Sequence, residues 1–465
     1  MSTTVTTTRT SFELQNWSEA GGITNPTSSA RQEKTIANWE QEAHSSQQLD
    51  AVDGGFPAWR VLIGGFVFEA LLWGFPVSFG VFQDYYSTLP QFAGSKNNIA
   101  LIGAIAQGSC YLGAPFSAAL TKRFPRYQRQ IIWLAWPLCI GGLVAASYAN
   151  TIGGLIATQG IMYGVGFITL TYPIISMINE YWIARKGMAF GLISAASGAS
   201  GAVMPFIIQA LLARYGYKTT LRAIAVAMAV LTGPLLPVFK GRLPPPEHSQ
   251  AAKTNWSFVH KPLFYVYGLS TLLYGLGFFF PLLHLPSYAT SLGLSATQGA
   301  LLLSIMSIAQ VLGQFFFGYL SDRNISVGVL CSICMIVSTI VVFSAWGAAK
   351  ALPLLVIFTI VYGFFASAFS TMRVAMGKAV SDDLSSVVAT YSVFVFLQGI
   401  GNILAGPLSA VLLAHTVTKS EYGIERYKNM IIFTGACMFG SAAVIAIWWC
   451  RPSIVRKLVS ALPRG

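Results

Sequence analysis

Charged side chains are scarce in this sequence: they make up 10% of 465 residues, with only 16 acids among them, while 54% of residues are hydrophobic and the mean hydropathy is +0.61. Water-soluble domains of that total length need far more charge to cover their surfaces, so the solvent of this chain is largely lipid. Cysteine is scarce too. All six, Cys110, Cys139, Cys331, Cys334, Cys437 and Cys450, fall in or at the edges of apolar stretches, which argues against a disulfide framework. Cys331 and Cys334 form a CxxC with no His or carboxylate beside it, so neither a metal nor another cofactor is expected. The sequence has no P-loop and no nucleophile elbow, which disfavours an enzyme or an ATP-driven pump. The net charge of +13 is not gathered in a basic, aromatic-interleaved domain, so no nucleic-acid partner is expected.

What the sequence does have is apolar stretches of roughly 20 residues, long enough as helices to cross a hydrocarbon core of about 30 Å. Twelve are predicted, near 59–82, 98–120, 130–149, 153–178, 187–212, 220–239, 263–286, 296–318, 326–346, 352–374, 387–413 and 429–450. Barrel strands would alternate in polarity, and these stretches do not. The expected fold is therefore an all-α membrane protein of twelve transmembrane helices in two pseudo-repeated six-helix bundles.

The repeat shows at an offset of about 200 residues, where Ala118–Arg123 answers Gly318–Arg323 and Tyr163-Gly164 answers Tyr362-Gly363. Residues 1–52 read as a disordered polar tail, 53–239 as the first bundle, 240–262 as a linker holding Pro244, Pro245 and Pro246, 263–450 as the second bundle, and 451–465 as a short tail. With no apolar signal core ahead of it, the first span is expected to serve as the insertion signal. Lys and Arg favour one set of loops over the other by roughly two to one, which places both termini in the cytosol. The sequons at Asn16, Asn255 and Asn324 then all face the cytosol, where they stay unmodified. The plasma membrane is the default location.

Three segments carry a family resemblance. Gly318-Tyr319-Leu320-Ser321-Asp322-Arg323 resembles the G-x-L-A-D-R loop signature of the major facilitator superfamily. Asp53-Gly54-Gly55-Phe56-Pro57-Ala58-Trp59, and Tyr181 through Leu192 with Arg185, Lys186 and Gly191, are similar to two motifs of its monocarboxylate porter family. The wording around Gly74-Phe75-Pro76 and Ser78–Phe82 is especially similar to fungal members. The resemblance implies a secondary transporter, with Asp322, Arg323 and Arg185 as a conformational brace. The departures are Val77 where the animal porters have Lys, Gln310 and Gln314 where their eighth span has Asp and Arg, Ala184 for a motif Lys, and Lys122 for a loop Asp. Those porters' coupling chemistry is therefore not carried over.

Ionisable residues at membrane depth are costly, so each is a candidate for function. Glu69 lies about 15 Å past Trp59 and near the midplane. It is read either as a carboxyl that loads and releases a proton or as one hydrogen-bonded into a helix interface. Arg373 is expected about 10 Å inside the inner boundary, where its planar fork would bind a carboxylate or, alternatively, snorkel to the cytosol or brace a helix end. Gln310 and Gln314, four apart and on one face, take the resembled family's substrate positions. Asn402 joins them as a substrate contact, and His284, whose ordinary pKa is near 6.5, joins Glu69 as a proton-coupling candidate. As with Gln398, the alternative for both is helix-to-helix hydrogen bonding.

The reading that follows is a carrier of a small organic solute, a monocarboxylate-like acid or related metabolite, working by alternating access with or without a proton. Export of a fungal secondary metabolite is the first alternative. A non-transporting nutrient sensor is the second.

Overall fold

In lipid every backbone N–H and C=O must be satisfied within its own segment, which is why long uncharged runs of Gly, Ala, Leu, Ile and Phe fold as helices. The computed structural model describes residues 50–92, 99–243, 256–323, 325–381, 383–414 and 425–450. The expected tails, apart from 50–52, lie outside these residues, as do 244–255 of the linker with its three prolines, and Asn16, Asn255 and Asn324.

The described chain is helical throughout. Its main helices are α1 (Gly55–Thr88), α2 (Leu101–Leu112), α3 (Pro125–Ala146), α4 (Ile152–Tyr181), α5 (Lys186–Val238), α6 (Pro262–Ser291), α7 (Thr297–Ser321), α8 (Val327–Trp346), α9 (Leu352–Val380), α10 (Ser386–Leu413) and α11 (Lys428–Trp449). Among the described residues ten of these are long and apolar enough to cross a membrane, and α2 is shorter. Apolar side chains cover the outside as well. Phe116 and Leu134 are 79% and 76% exposed, as lipid-facing positions require and a water-soluble surface would not tolerate in such number.

Several helices break where their sequence weakens the hydrogen-bond ladder. Pro76 lacks an N–H and lies just before the pause at Ser78 that separates Gly55–Val77 from Phe79–Thr88. The chain after α2 passes Gly113 and resumes as Ala114–Arg123. Met372 divides α9 into Leu352–Thr371 and Arg373–Val380. The largest interruption is at Gly216, whose φ of 71° and ψ of 172° no helix accepts. Helix α5 with its 53 residues would measure about 80 Å if straight, well over twice a hydrocarbon core. After Gly216 the chain runs along α3 and the turn that follows it: Tyr217 donates to the Ala149 carbonyl (3.0 Å), Arg222 Nε to Ser147 Oγ (3.0 Å) and Trp136 Nε1 of α3 to Thr232 Oγ1 (2.7 Å). The spans expected at 187–212 and 220–239 are thus joined but conformationally separate. Helix α9 likewise outruns its expected end, because helical hydrogen bonding continues past the point where hydropathy falls.

Buried apolar residues form one large core from Ala58 to Phe239 and a second from Phe258 to Ile445. Two small clusters draw on both stretches, one around Ala114, Ile168 and Val395 and the other around Ile175, Phe190, Val374 and Val387. Helices α5 and α7 touch through their backbones. A Cβ at Gly191 would stand 2.7 Å from the Gln314 carbonyl oxygen, and one at Gly318 would stand 2.6 Å from that of Gly187.

The three motif segments meet at one end of this contact. Asp53 accepts from the backbone N–H groups of Ile183, Ala184 and Arg185 at 2.8–2.9 Å, its own N–H donates to the Tyr181 carbonyl, and Trp59 packs edge-on against Trp182. Asp53 has φ 57° and Gly55 φ 84°, which explains an acidic-Gly-Gly turn in front of α1. Asp322, at the end of α7, accepts from Gly187 and Met188 N–H at 2.7 Å each and so holds the start of α5. Arg323, just past the end of α7, lies over Tyr319 of that helix, and Arg185 contributes its backbone N–H and its charge to the Asp53 turn.

Partial burial pushes the Asp53 carboxyl up, but the three N–H groups and the Arg185 charge outweigh it, leaving the pKa below its usual 3.8. A depressed carboxylate contributes stability above its free pKa and loses it only as pH falls through the lower folded value. The Asp53 turn is therefore expected to be insensitive to pH between about 5 and 8. Asp53→Ala is expected to destabilise the protein by about 1 kcal/mol, the size of a lost helix cap at a site open to solvent, as a lowered melting temperature would register.

Candidate functional site

A cavity of ≈ 110 Å³ lies between the two large cores and is lined from α1, α2, α4, α5, α6, α7, α9 and α10. Glu69 and Trp73 enter from α1, one turn apart, and Trp73 Nε1 donates to Glu69 Oε2 at 3.0 Å. The Thr171 hydroxyl of α4 lies close enough to act on this carboxyl, yet neither it nor Glu69 Oε1 has a formed hydrogen bond. Glu69 is 4% exposed.

Arg373 enters from the second half of α9, about 10 Å before that helix ends at Val380. It is 7% exposed, and its Nε donates to the Ser370 carbonyl and its Nη1 to Gln398 Oε1, both at 2.6 Å. Its guanidinium lies 5.7 Å from the centre of the Tyr391 ring. Among the described residues no carboxylate accepts from it, so a permanent charge is held in the protein interior by neutral partners.

Gln310 and Gln314 of α7 line the same cavity. The Gln310 amide donates to Ser197 of α5 and the Gln314 amide to Ser370 of α9, each at 3.3 Å, while Gln314 Oε1 is buried without a partner. Four residues singled out in the sequence, Glu69, Arg373, Gln310 and Gln314, thus converge from three helices. Asp322, Arg323 and Arg185 stand together at the far end of the α5–α7 contact.

Two other candidates lie elsewhere. Asn402 is one turn past Gln398 on α10, buried beside Tyr111 but not on the cavity wall. His284 is near the Tyr427 ring, 6.5 Å between centroids, and about 9 Å along α6 from Phe278, that helix's contribution to the wall. Sequence reasoning did not single out the aromatic wall. Trp73 meets Phe167 at 5.1 Å and Tyr111 at 5.7 Å, and Tyr172 faces Tyr391 at 6.5 Å. Trp73 had a signal, its position four residues after Glu69; Gln398 and Tyr391, seven apart on α10, had another.

Comparison with known proteins agrees with this architecture. The sequence profile of the Major Facilitator Superfamily matches residues 267–461. "MFS transporter asaE" of Aspergillus flavus is 25% identical over 408 residues, covering 87% of this chain and 90% of that protein. The second half of the chain thus resembles the major facilitator superfamily, and its full-length relatives are named as transporters of that type. The "Aspyridones efflux protein apdF" of Emericella nidulans is 24% identical to this transporter, covering 83% of it and 76% of the relative. Bovine "Monocarboxylate transporter 13" is 27% identical, covering 84% and 89%. The fold of a bacterial homologue of the iron transporter ferroportin, solved in an outward-facing state, superposes with a TM-score of 0.60 at 14% identity, covering 85% of this transporter and all of that chain. The protein is a multi-pass membrane transporter similar to members of that superfamily.

Proposed function

We propose that this transporter moves a small organic anion, held by Arg373 in the cavity, and that Glu69 takes up and releases a proton in the same cycle. The observation that carries the reading is Arg373 itself, 7% exposed and, among the described residues, hydrogen-bonded to a carbonyl and an amide but to no carboxylate. A buried cation without a carboxylate partner is costly, and an anionic solute that completes its shell repays that cost. Its fork suits a carboxylate. Gln310 and Gln314 are the neutral contacts.

The architecture proposed with this is twelve transmembrane helices in two six-helix bundles, residues 53–239 and 263–450, joined by a linker at 240–262. The break at Gly216 and the continuation of α2 to Arg123 support the count, and the two large apolar cores support the division. Both termini are proposed to be cytosolic on the loop-charge bias, and the plasma membrane is proposed as the default location. The Asp53–Asp322 end would then face the cytosol, with those motifs bracing the closed side. Export of a metabolite is the favoured direction, because one fungal relative is named as an efflux protein.

The test is uptake and efflux of a labelled panel of organic acids in cells expressing the protein, at outside pH of about 5 and 7.5, measured in excess over cells without it. A pH-dependent acid flux that Glu69→Gln renders pH-independent is the expected result. If no acid moves in either direction, the anion reading is wrong.

A further inference from the structure

The cavity has a second polar pole that Arg373 does not account for. Glu69 Oε1, the Tyr172 hydroxyl and Gln314 Oε1 are all buried without a hydrogen-bond partner, on side chains 4%, 3% and 3% exposed. The Thr171 hydroxyl lies within reach of the Glu69 carboxyl but, like Glu69 Oε1, makes no well-formed hydrogen bond among the described residues. Buried polar atoms are almost always satisfied, and each one left open here costs free energy that a ligand would recover. Two of the four, the carboxylate and amide oxygens, accept hydrogen bonds, and the two hydroxyls can accept or donate. Both Glu69 and Arg373 act electrostatically on Tyr172 and on Tyr391, so these rings lie within range of both poles.

Shape adds a second constraint. Trp73, Phe167, Tyr111 and Tyr391 give the wall flat faces, with Trp73 and Phe167 perpendicular at 84°. The volume of ≈ 110 Å³ is below the about 150 Å³ of an apolar cavity that takes benzene, so a single aromatic ring enters only as the cavity widens and nothing larger is accommodated.

Building on the organic-anion reading, we propose that the preferred substrate is a small planar acid with a hydroxyl group on the side away from its carboxylate. The carboxylate meets Arg373, and the hydroxyl donates to Glu69 or Gln314 while accepting from Tyr172 or Thr171. An unsubstituted acid leaves that second set of atoms unbonded.

Isothermal titration of the purified full-length protein with benzoate, 3-hydroxybenzoate and 4-hydroxybenzoate tests this without interference from membrane leakage. One hydroxybenzoate is expected to bind about tenfold more tightly than benzoate, the effect of one buried hydrogen bond. In Tyr172→Phe or Thr171→Val, at least one of which should fold, the ratio between the two ligands should collapse toward one. If benzoate and both hydroxybenzoates bind equally and all depend on Arg373, the second pole is refuted while the anion site stands. If the ratio survives both variants, the assignment of the pole to these hydroxyls is refuted. If none of the three binds, the planar hydroxy-acid inference is refuted, and flux of the wider acid panel decides the organic-anion reading separately.

Discussion

Arg373→Ala is expected to lower the rate of organic-acid transport by about 100-fold at sub-saturating solute. The loss has two parts. The solute forfeits charge-assisted hydrogen bonds worth about 1.5–3 kcal/mol each, and Gln398 Oε1, now without its 2.6 Å donor, stays buried and unpaired. A total of about 3 kcal/mol corresponds to the 100-fold figure. Arg373→Lys is expected to recover little of it, since one ammonium cannot reach the Ser370 carbonyl, the Gln398 amide and a carboxylate in the fixed plane of the guanidinium. Initial-rate assays of both variants at matched surface expression provide the measurement. Wild-type rates in Arg373→Ala would remove the residue from the solute site and leave it as a helix brace.

The second large effect is expected at the α5–α7 contact. Asp322→Ala removes two acceptors, each 2.7 Å from a backbone N–H at the start of α5, and leaves those donors without a partner. Burial pushes the Asp322 carboxyl up while the same two N–H groups hold it down, so the contact is strong in bonding yet costly in desolvation. Its removal is expected to favour opening at this end by about 3 kcal/mol, or about 100-fold in population. Gly187→Val should act in the same direction by steric force, because a Cβ there would stand 2.4 Å from the Gly318 carbonyl oxygen. Cys110 lines the cavity and provides a reporter. In vesicles of known orientation, a membrane-impermeant maleimide on the Asp53 side should label Cys110 far faster in either variant than in the wild type, as peptide mass spectrometry would quantify. Unchanged labelling in both would mean that this contact does not hold the cavity shut.

Much of the site was legible because lipid makes polar residues conspicuous. Glu69, Arg373, Gln310 and Gln314 stand out in apolar helices by cost alone, and all four line one cavity. The aromatic wall was not legible. With 31 Phe, 19 Tyr and 11 Trp in the chain, which rings face inward depends on helix rotation, and packing between distant helices sets that. Asn402 and His284 show the same dependence in reverse. Both are polar and within helices, and a turn or two of position leaves them off the wall.

In the fold, the drop in hydropathy around Arg214–Lys218 located the interruption in α5, and the structure places its pivot at Gly216. The grip of Asp53 on residues 183–185 was beyond sequence reading, since it joins positions about 130 residues apart. Each of those two motifs was recognisable alone. Their contact was not.

The most direct test of the account is the initial rate of labelled 4-hydroxybenzoate entry into liposomes carrying the purified protein, under an imposed proton gradient. The rate is read as the excess over liposomes carrying Arg373→Ala, so that passive leak cancels. The account predicts a saturable excess that grows with the proton gradient and loses that dependence in Glu69→Gln. An excess of zero, or a gradient dependence that persists in Glu69→Gln, would contradict it.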